Sequence, residues 1–281
     1  MVTRSEYGER DVRACFSVLL EIVRALGEHR DHMVLVGGWV PRFLFSAASE
    51  PHVGSLDIDL ALDFRNITKA SYETILATLM IRGYVQDTEQ PFRFFRTVAD
   101  AGGSEMRVEV DLLAGEYGGT GKKRRTQSIQ DIQARKARGC DLAFESCVSV
   151  PIEGKLPCGG SDRASLRIAG IVPFLVMKGM AIHDRLKEKD AYDIFYCLEQ
   201  FPGGPADLAR EFKPFLENRL VREGLAKISD KFASVDHFGP RAVADFLEIS
   251  DKEERAIIAR RAFEQIDALF EGLGIERGET R

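Results

Sequence analysis

Two carboxylates, Asp57 and Asp59, stand in the alternating stretch SLDIDLAL. Successive side chains of a strand point to opposite faces, so Leu56, Ile58 and Leu60 share one face and the two aspartates share the other. Like charges side by side destabilise a plain sheet, and a bound cation is the obvious compensation. MRVEVDLLA repeats the pattern, with Val108, Val110 and Leu112 pointing one way and Glu109 and Asp111 the other. If the two strands are neighbours with like faces aligned, three or four carboxylates meet. Such hard oxygen donors suit magnesium. Two such ions about 3.5–4 Å apart stabilise the attacking and leaving oxygens of an in-line phosphoryl displacement. The plainer alternative is a pair of edge strands whose polar faces meet only water.

The pair Gly37–Gly38, upstream of Asp57, follows the apolar run MVLV. A glycine pair where a buried strand turns into a helix lets triphosphate oxygens approach backbone N–H groups and the helix N-terminus. The ordered set of glycine turn, paired aspartates and a third strand carboxylate is more specific than any member of it.

A second constellation lies in VPFLVMKGMAIHDRLKEKDAYDIFYCL. Read as one helix, this stretch puts Lys178, Arg185 and Lys189 close to a single stripe, with Asp193 near it. A row of cations ending in Asp190 and Asp193 suits gripping triphosphate oxygens while a carboxylate orients Lys178 or the acceptor. A solvated face with i,i+4 charge pairs is the alternative, worth only tenths of a kcal/mol per pair. The apolar FLVM and IFYCL around the charges argue against it.

The elements that must position these groups read as follows. Apolar spacing predicts an amphipathic helix over Asp11–Leu26, a buried strand at MVLVGG, and a short helix in WVPRFLFSA with Pro41 in its first turn. A second amphipathic helix in ITKASYETILATLMIRGY ends near Gly83. PFRFFRTV and MRVEVDLLAG read as a hairpin around DAGGSE. The stretch GEYGGTGKKRRTQSIQDIQARKARG reads as a basic loop, followed by strands near CVSVPIE and ASLRIAG. From about Val172 onward the pattern is helical. The expected architecture is an α/β (α+β) core with a mixed sheet over residues 1–160, then a mainly helical domain over residues 161–281, with the active site between them.

LVGGWVPRFLF, GSLDIDLAL and VEVDLL together resemble the nucleotidyltransferase superfamily with the polymerase-beta-like core. That resemblance implies Gly37 and Gly38 as the triphosphate-cradling turn, and Asp57, Asp59 and Asp111 as ligands of two magnesium ions. Ser55, Lys178 and Arg185 are expected to join the turn in binding the triphosphate. The later stretch is similar to the third motif of AbiEii/AbiGii-type toxins, in which Lys178, Ala181, Arg185, Asp190 and Asp193 match in register. Lys189 stands where the pattern has arginine, which keeps the charge but loses the bidentate fork. His52, Gly54 and Ser55 stand where these toxins usually carry an arginine and a threonine. The resemblance spans about Val34 to Leu198. It implies transfer of a nucleoside monophosphate from an NTP to a tRNA or other RNA acceptor, a role in growth arrest or phage defence, and a neutralising antitoxin partner. Rival expectations are a small-molecule or protein nucleotidyltransferase without a toxin role, and a non-catalytic nucleotide-binding protein of the same fold.

Composition narrows the classes. With 281 residues, 44% hydrophobic and 30% charged, the chain reads as an ordinary globular protein. A formal net charge of -5 excludes a uniformly basic nucleic-acid coat, so any polyanion needs a local patch. Lys122, Lys123, Arg124 and Arg125, with Arg135, Lys136 and Arg138, supply the one basic concentration and could guide an RNA acceptor. The charged N-terminus lacks the apolar core of a signal peptide, and no apolar run is long enough for a membrane span. Five scattered cysteines without a CxxC pair predict free thiols, and hence a cytoplasmic protein. Trp39 is expected to pack rather than stack on a base, and His183 to serve no catalytic role.

Overall fold

A computed structural model describes residues 1–99, 103–115, 126–129 and 132–275. The chain divides into two units, one of Tyr7–Phe43 and Gly54–Gly170, the other of Met1–Glu6, Leu44–Val53 and Ile171–Arg281.

The first unit is built on a sheet. Helix α1 (Glu9–Ala25) carries Glu9 and Asp11 in its first turn and Arg24 in its last, charges that complement the helix dipole. Its apolar face, including Cys15, Val18, Leu19 and Ile22, is fully buried. Strand β1 (Met33–Val36) has all four residues buried, as its apolar run requires. After the glycine turn comes the short helix α2 (Val40–Leu44), and then strand β2 (Asp57–Leu62). Helix α3 (Lys69–Ile81) starts at Thr68, whose hydroxyl accepts the Ser71 N–H at 3.1 Å. Strands β3 (Val85–Gln86), β4 (Arg93–Ala99) and β5 (Glu105–Ala114) follow.

Strands β6 (Thr126–Ile129) and β7 (Ile132–Lys136) form an antiparallel pair inside the stretch expected to be a basic loop, and β7 runs parallel to β5. The short helix α4 (Leu142–Glu145) and the long hairpin of β8 (Cys147–Lys155) and β9 (Ser161–Ala169) complete the unit. The mixed sheet has nine strands among the described residues, with β3-β4-β5-β2-β1-β9-β8 as its continuous path. The pairing that matters most is β2 beside β5, parallel, with Asp57 opposite Glu109 and Asp59 opposite Asp111.

The second unit is helical. Helix α5 (Ile171–Arg185) is followed by α6 (Glu188–Gln200), α7 (Gly204–Phe212), α8 (Arg219–Lys231), α9 (Phe238–Phe246) and α10 (Lys252–Leu273). Helices α5 and α8 approach closely because Gly179 and Gly224 face each other. A methyl group at Gly224 would sit 2.9 Å from the Val176 Cα, and one at Gly179 would strike the Gly224 carbonyl. Tyr192 of α6 stacks on Phe246 of α9 with ring centroids 4.5 Å apart. Asp251 caps α10 by accepting the N–H groups of Glu253 and Glu254.

One sequence expectation fails here. Lys178, Arg185 and Lys189 do not share a helix, because Leu186 takes φ 48 and Lys187 is extended, ending α5 and starting α6. No glycine or proline marks the break. Glu188 and Asp190 in the first turn of α6 supply the acidic start that a new helix favours. Among the described residues no helix is long and apolar enough to cross a membrane.

Candidate active site

The carboxylate face of the sheet follows from the alternation of β2 and β5. Ile58, Leu60, Val108, Val110 and Leu112 point into the core, which turns Asp57, Asp59, Glu109 and Asp111 to the other face. The parallel register then sets these acids in two rows, Asp57 beside Glu109 and Asp59 beside Asp111. Ser55 donates its hydroxyl to Asp57 Oδ1 at 2.5 Å.

Gly37 borders this face with φ +74, and a methyl group there would collide with the Asp59 carboxylate. Only glycine combines that backbone angle with so close an approach. Gly38 and Trp39 complete a single 3-10 turn and are buried. The Trp39 indole donates to Cys15 Sγ at 3.4 Å and packs against Phe16 and Phe43. The packing role expected for Trp39 is therefore the one it has.

Asp111 is nearly inaccessible and heavily bonded. Arg93, its cross-strand neighbour on β4, donates to Oδ1 at 2.9 Å and to Oδ2 at 3.0 Å. Arg135 of β7 also donates to Oδ2. Arg93 further lies 2.7 Å from Glu109 Oε1. Burial, together with the charges of Asp111 and Asp57, raises the Glu109 pKa above its ordinary value despite Arg93 and Arg135. Among the described residues, no group of three or more His, Cys, Asp or Glu is gathered tightly enough to hold an ion. The guanidinium groups supply the positive charge that these repelling acids require.

Magnesium fits this donor set in kind, since every donor is a carboxylate oxygen, and a side chain at Gly37 would fill the space beside the Asp59 carboxylate. Asp57 and Asp59 would hold it, and Asp111 would share its oxygens with Arg93 and Arg135. Lys122, Lys123, Arg124 and Arg125 lie outside the described residues.

The helical unit carries the second constellation. The break at Leu186 folds α6 back so that Asp190 meets both charged groups of α5. Lys178 Nζ donates to Asp190 Oδ1 at 2.8 Å and lies 2.7 Å from Asp193 Oδ2. Arg185 grips Asp190 with two hydrogen bonds of 2.7 Å. Lys189 donates to Asp193 Oδ1 at 2.7 Å, so it faces inward instead of joining an open row of cations. His52, from the Leu44–Val53 segment of this unit, lies 2.8 Å from the same oxygen through Nε2. His52 packs against Tyr192 and Tyr196, and Tyr196 donates its hydroxyl to the Glu50 carbonyl at 2.8 Å.

Asp190 and Asp193 are fully buried, and Lys178, Lys189 and His52 nearly so. Burial opposes each charge, yet the lysines, with Arg185 at Asp190 and His52 at Asp193, hold both aspartates below the ordinary carboxylate range. Burial alone would lower Lys178, but Asp190 and Asp193 outweigh it and raise its pKa. Lys178 is therefore a fixed cation with no capacity as a base. Burial, then the charge of Lys189, pushes the His52 pKa down to about 4, so His52 is neutral and donates to Asp193. His183 sits apart beside Asp184, half exposed.

Sequence reasoning missed Arg93 and the bond from His52 to Asp193. Arg93 alternates onto the acid face of PFRFFRTV, a signal that was present. No local pattern could tie His52 to Asp193.

A paired-carboxylate strand beside a glycine turn is the arrangement that the sequence leads one to expect of a nucleotidyltransferase. Among solved structures, the chain is similar to an antigenic nucleotidyltransferase-like protein from Paracoccidioides brasiliensis, at 17% identity and TM-score 0.46, over 79% of this chain and 89% of that one. It is also similar to JHP933 from Helicobacter pylori, at 17% identity and TM-score 0.35, over 95% of this chain and 97% of that one. No curated protein matches its sequence. The family model for the nucleotidyl transferase AbiEii toxin, of type IV toxin–antitoxin systems, matches residues 19–273. The chain belongs to that family.

Proposed function

We propose that this protein is a magnesium-dependent enzyme that moves a nucleoside monophosphate from an NTP to an RNA acceptor, with tRNA the expected target, and releases pyrophosphate. The observation that carries the reading is the register of β2 on β5, which aligns Asp57 and Asp59 with Glu109 and Asp111 beside the Gly37 turn. Arg93 and Arg135 offset the repulsion at Glu109 and Asp111, and a bound cation would do the same for Asp57 and Asp59.

Bound magnesium would neutralise the triphosphate and the departing pyrophosphate. Asp57 and Asp59 would hold the ions, with Ser55 fixing the Asp57 rotamer through its hydroxyl. The backbone N–H groups of Gly37 and Gly38 receive the triphosphate oxygens. Asp111, kept in place by Arg93 and Arg135, would complete the ligand set and orient the acceptor hydroxyl. Lys178, locked by Asp190 and Asp193, and Arg185, bound to Asp190, are fixed cations of the helical unit, assigned to triphosphate binding by their motif alone. Preorganised charge of this kind needs no rearrangement as the phosphoryl group transfers.

In the cytoplasm such modification arrests growth, and a cognate antitoxin partner restrains it, a role suited to phage defence. Induced expression in bacteria without an antitoxin tests this. Growth stops with the native chain and continues with Asp57→Ala, Asp59→Ala or Lys178→Ala at equal protein levels. Arrest by the Asp57→Ala variant at full strength would refute the catalytic basis of toxicity.

A further inference from the structure

The carboxylate face does not end at Asp111. The register continues outward, with Glu109 opposite Phe95 of β4 and Phe95 opposite Val85 of β3. One row therefore runs Asp57, Glu109, Phe95, Val85 across four strands, all on one face. Val85 is 65% exposed. Arg107, two residues before Glu109 on β5 and exposed, lays its guanidinium carbon 3.5 Å from the centre of the Phe95 ring. An aromatic ring and a guanidinium plane at stacking distance, partly open to solvent, are the two surfaces on which unpaired nucleobases stack.

We propose that Phe95 and Arg107 form the platform that receives the terminal base of a single-stranded RNA acceptor. The inference rests on the nucleotidyl-transfer reading and names the part of the acceptor that the site grips. The direction of the displacement places the acceptor on this side of the sheet. Entering and leaving oxygens lie on opposite sides of the phosphorus under attack. The Gly37–Gly38 turn follows β1, which flanks β2 on one side, whereas β5 and then β4 flank it on the other. With the pyrophosphate end held at the glycine turn, the acceptor hydroxyl enters from the β5–β4 side. Strands are spaced by roughly 4.8 Å, so Phe95 stands about 10 Å from Asp57. That is the reach from a reacting sugar hydroxyl to its own base and the neighbouring one.

The test is binding of a short fluorescein-labelled single-stranded RNA, followed by anisotropy. It is run beside the same RNA lacking only its 3′-terminal base, on native protein, Phe95→Ala, Phe95→Tyr and Arg107→Ala. Arg107 is exposed, so its removal leaves the fold intact even if Phe95→Ala weakens it. The expected result is a loss of about tenfold or more in RNA affinity for Phe95→Ala and Arg107→Ala, with recovery in Phe95→Tyr. The missing base should cost the native protein a similar factor and cost Phe95→Ala nothing further. Affinity for a fluorescent ATP analogue should be the same in all variants.

Unchanged RNA affinity in both alanine variants, or a missing-base penalty that persists in Phe95→Ala, overturns the platform. Nucleotide transfer to a protein or small molecule by a chain that ignores RNA also overturns it, and leaves the enzymatic reading standing. Phe95-dependent RNA binding in a chain that transfers no nucleotide would do the reverse.

Discussion

Gly37 lies so close to Asp59 that its α-hydrogen occupies the one place from which a side chain would strike the carboxylate. The turn that would cradle phosphate and the acid that would hold the metal are thus one packed unit. Gly37→Ala should cost about 1–2 kcal/mol for its left-handed backbone and displace Asp59. Transfer activity should fall by about a hundredfold, the scale of an ångström-sized misplacement. Urea unfolding and steady-state kinetics separate the two effects, and full activity in Gly37→Ala would contradict the arrangement.

Lys178 compensates two buried aspartates at once. Lys178→Met should therefore destabilise the helical unit by about 3–5 kcal/mol, because a buried charge left without its partner costs far more than the pair contributes. Arg185→Ala, at a half-exposed side chain, should cost less than half as much. Denaturant midpoints of the two variants give the comparison.

His52 gives stability a pH dependence whose sign is fixed. Its folded value of about 4 lies below the ordinary histidine value of 6.5. Below that ordinary value the unfolded chain binds a proton that the folded chain refuses, so stability falls as pH drops from about 6.5 to about 4, by roughly 3 kcal/mol in all. His52→Gln should flatten that slope. Asp190 and Asp193, whose values are depressed, contribute stability above the ordinary carboxylate value of about 3.9. They lose it as pH falls further through their folded values. Melting temperatures of both proteins across this range read the two windows separately.

Arg93 competes for the carboxylate oxygens that magnesium would take. Removing one charge-assisted bonding partner worth about 1.5–3 kcal/mol should make Asp111 easier to engage. Arg93→Gln should then reach half-maximal turnover at a lower magnesium concentration than the native enzyme. A higher midpoint would contradict the competition and show that Arg93 serves mainly to hold Asp111 in place.

The strands that carry the acids were legible because a period of two survives any tertiary context. SLDIDLAL and MRVEVDLLA became β2 and β5, and β4 pairs antiparallel with β5 as expected of a hairpin, while the first half of DAGGSE lies outside the described residues. The superfamily resemblance followed from these strands and the Gly37–Gly38 turn, and the toxin-family resemblance from Lys178, Arg185, Asp190 and Asp193. The helix break at Leu186 was invisible because LKEK contains no punctuating residue. It exists because the turn brings Asp190 onto Lys178 and Arg185. Strands β6 and β7 were hidden in a polar stretch, where pairing to β5 decides the conformation and local pattern does not. Arg93 on Asp111 and His52 on Asp193 are pairings between distant segments, which alternation and spacing cannot supply.

The most direct test of the central claim uses purified protein, magnesium and total RNA with each NTP, labelled in parallel on the α- and the γ-phosphate, beside Asp57→Ala and Lys178→Ala. The account predicts α-label, and no γ-label, in a tRNA-sized band with the native chain alone. Absence of α-label from every RNA, protein and small-molecule fraction, or equal labelling by Asp57→Ala, would contradict it.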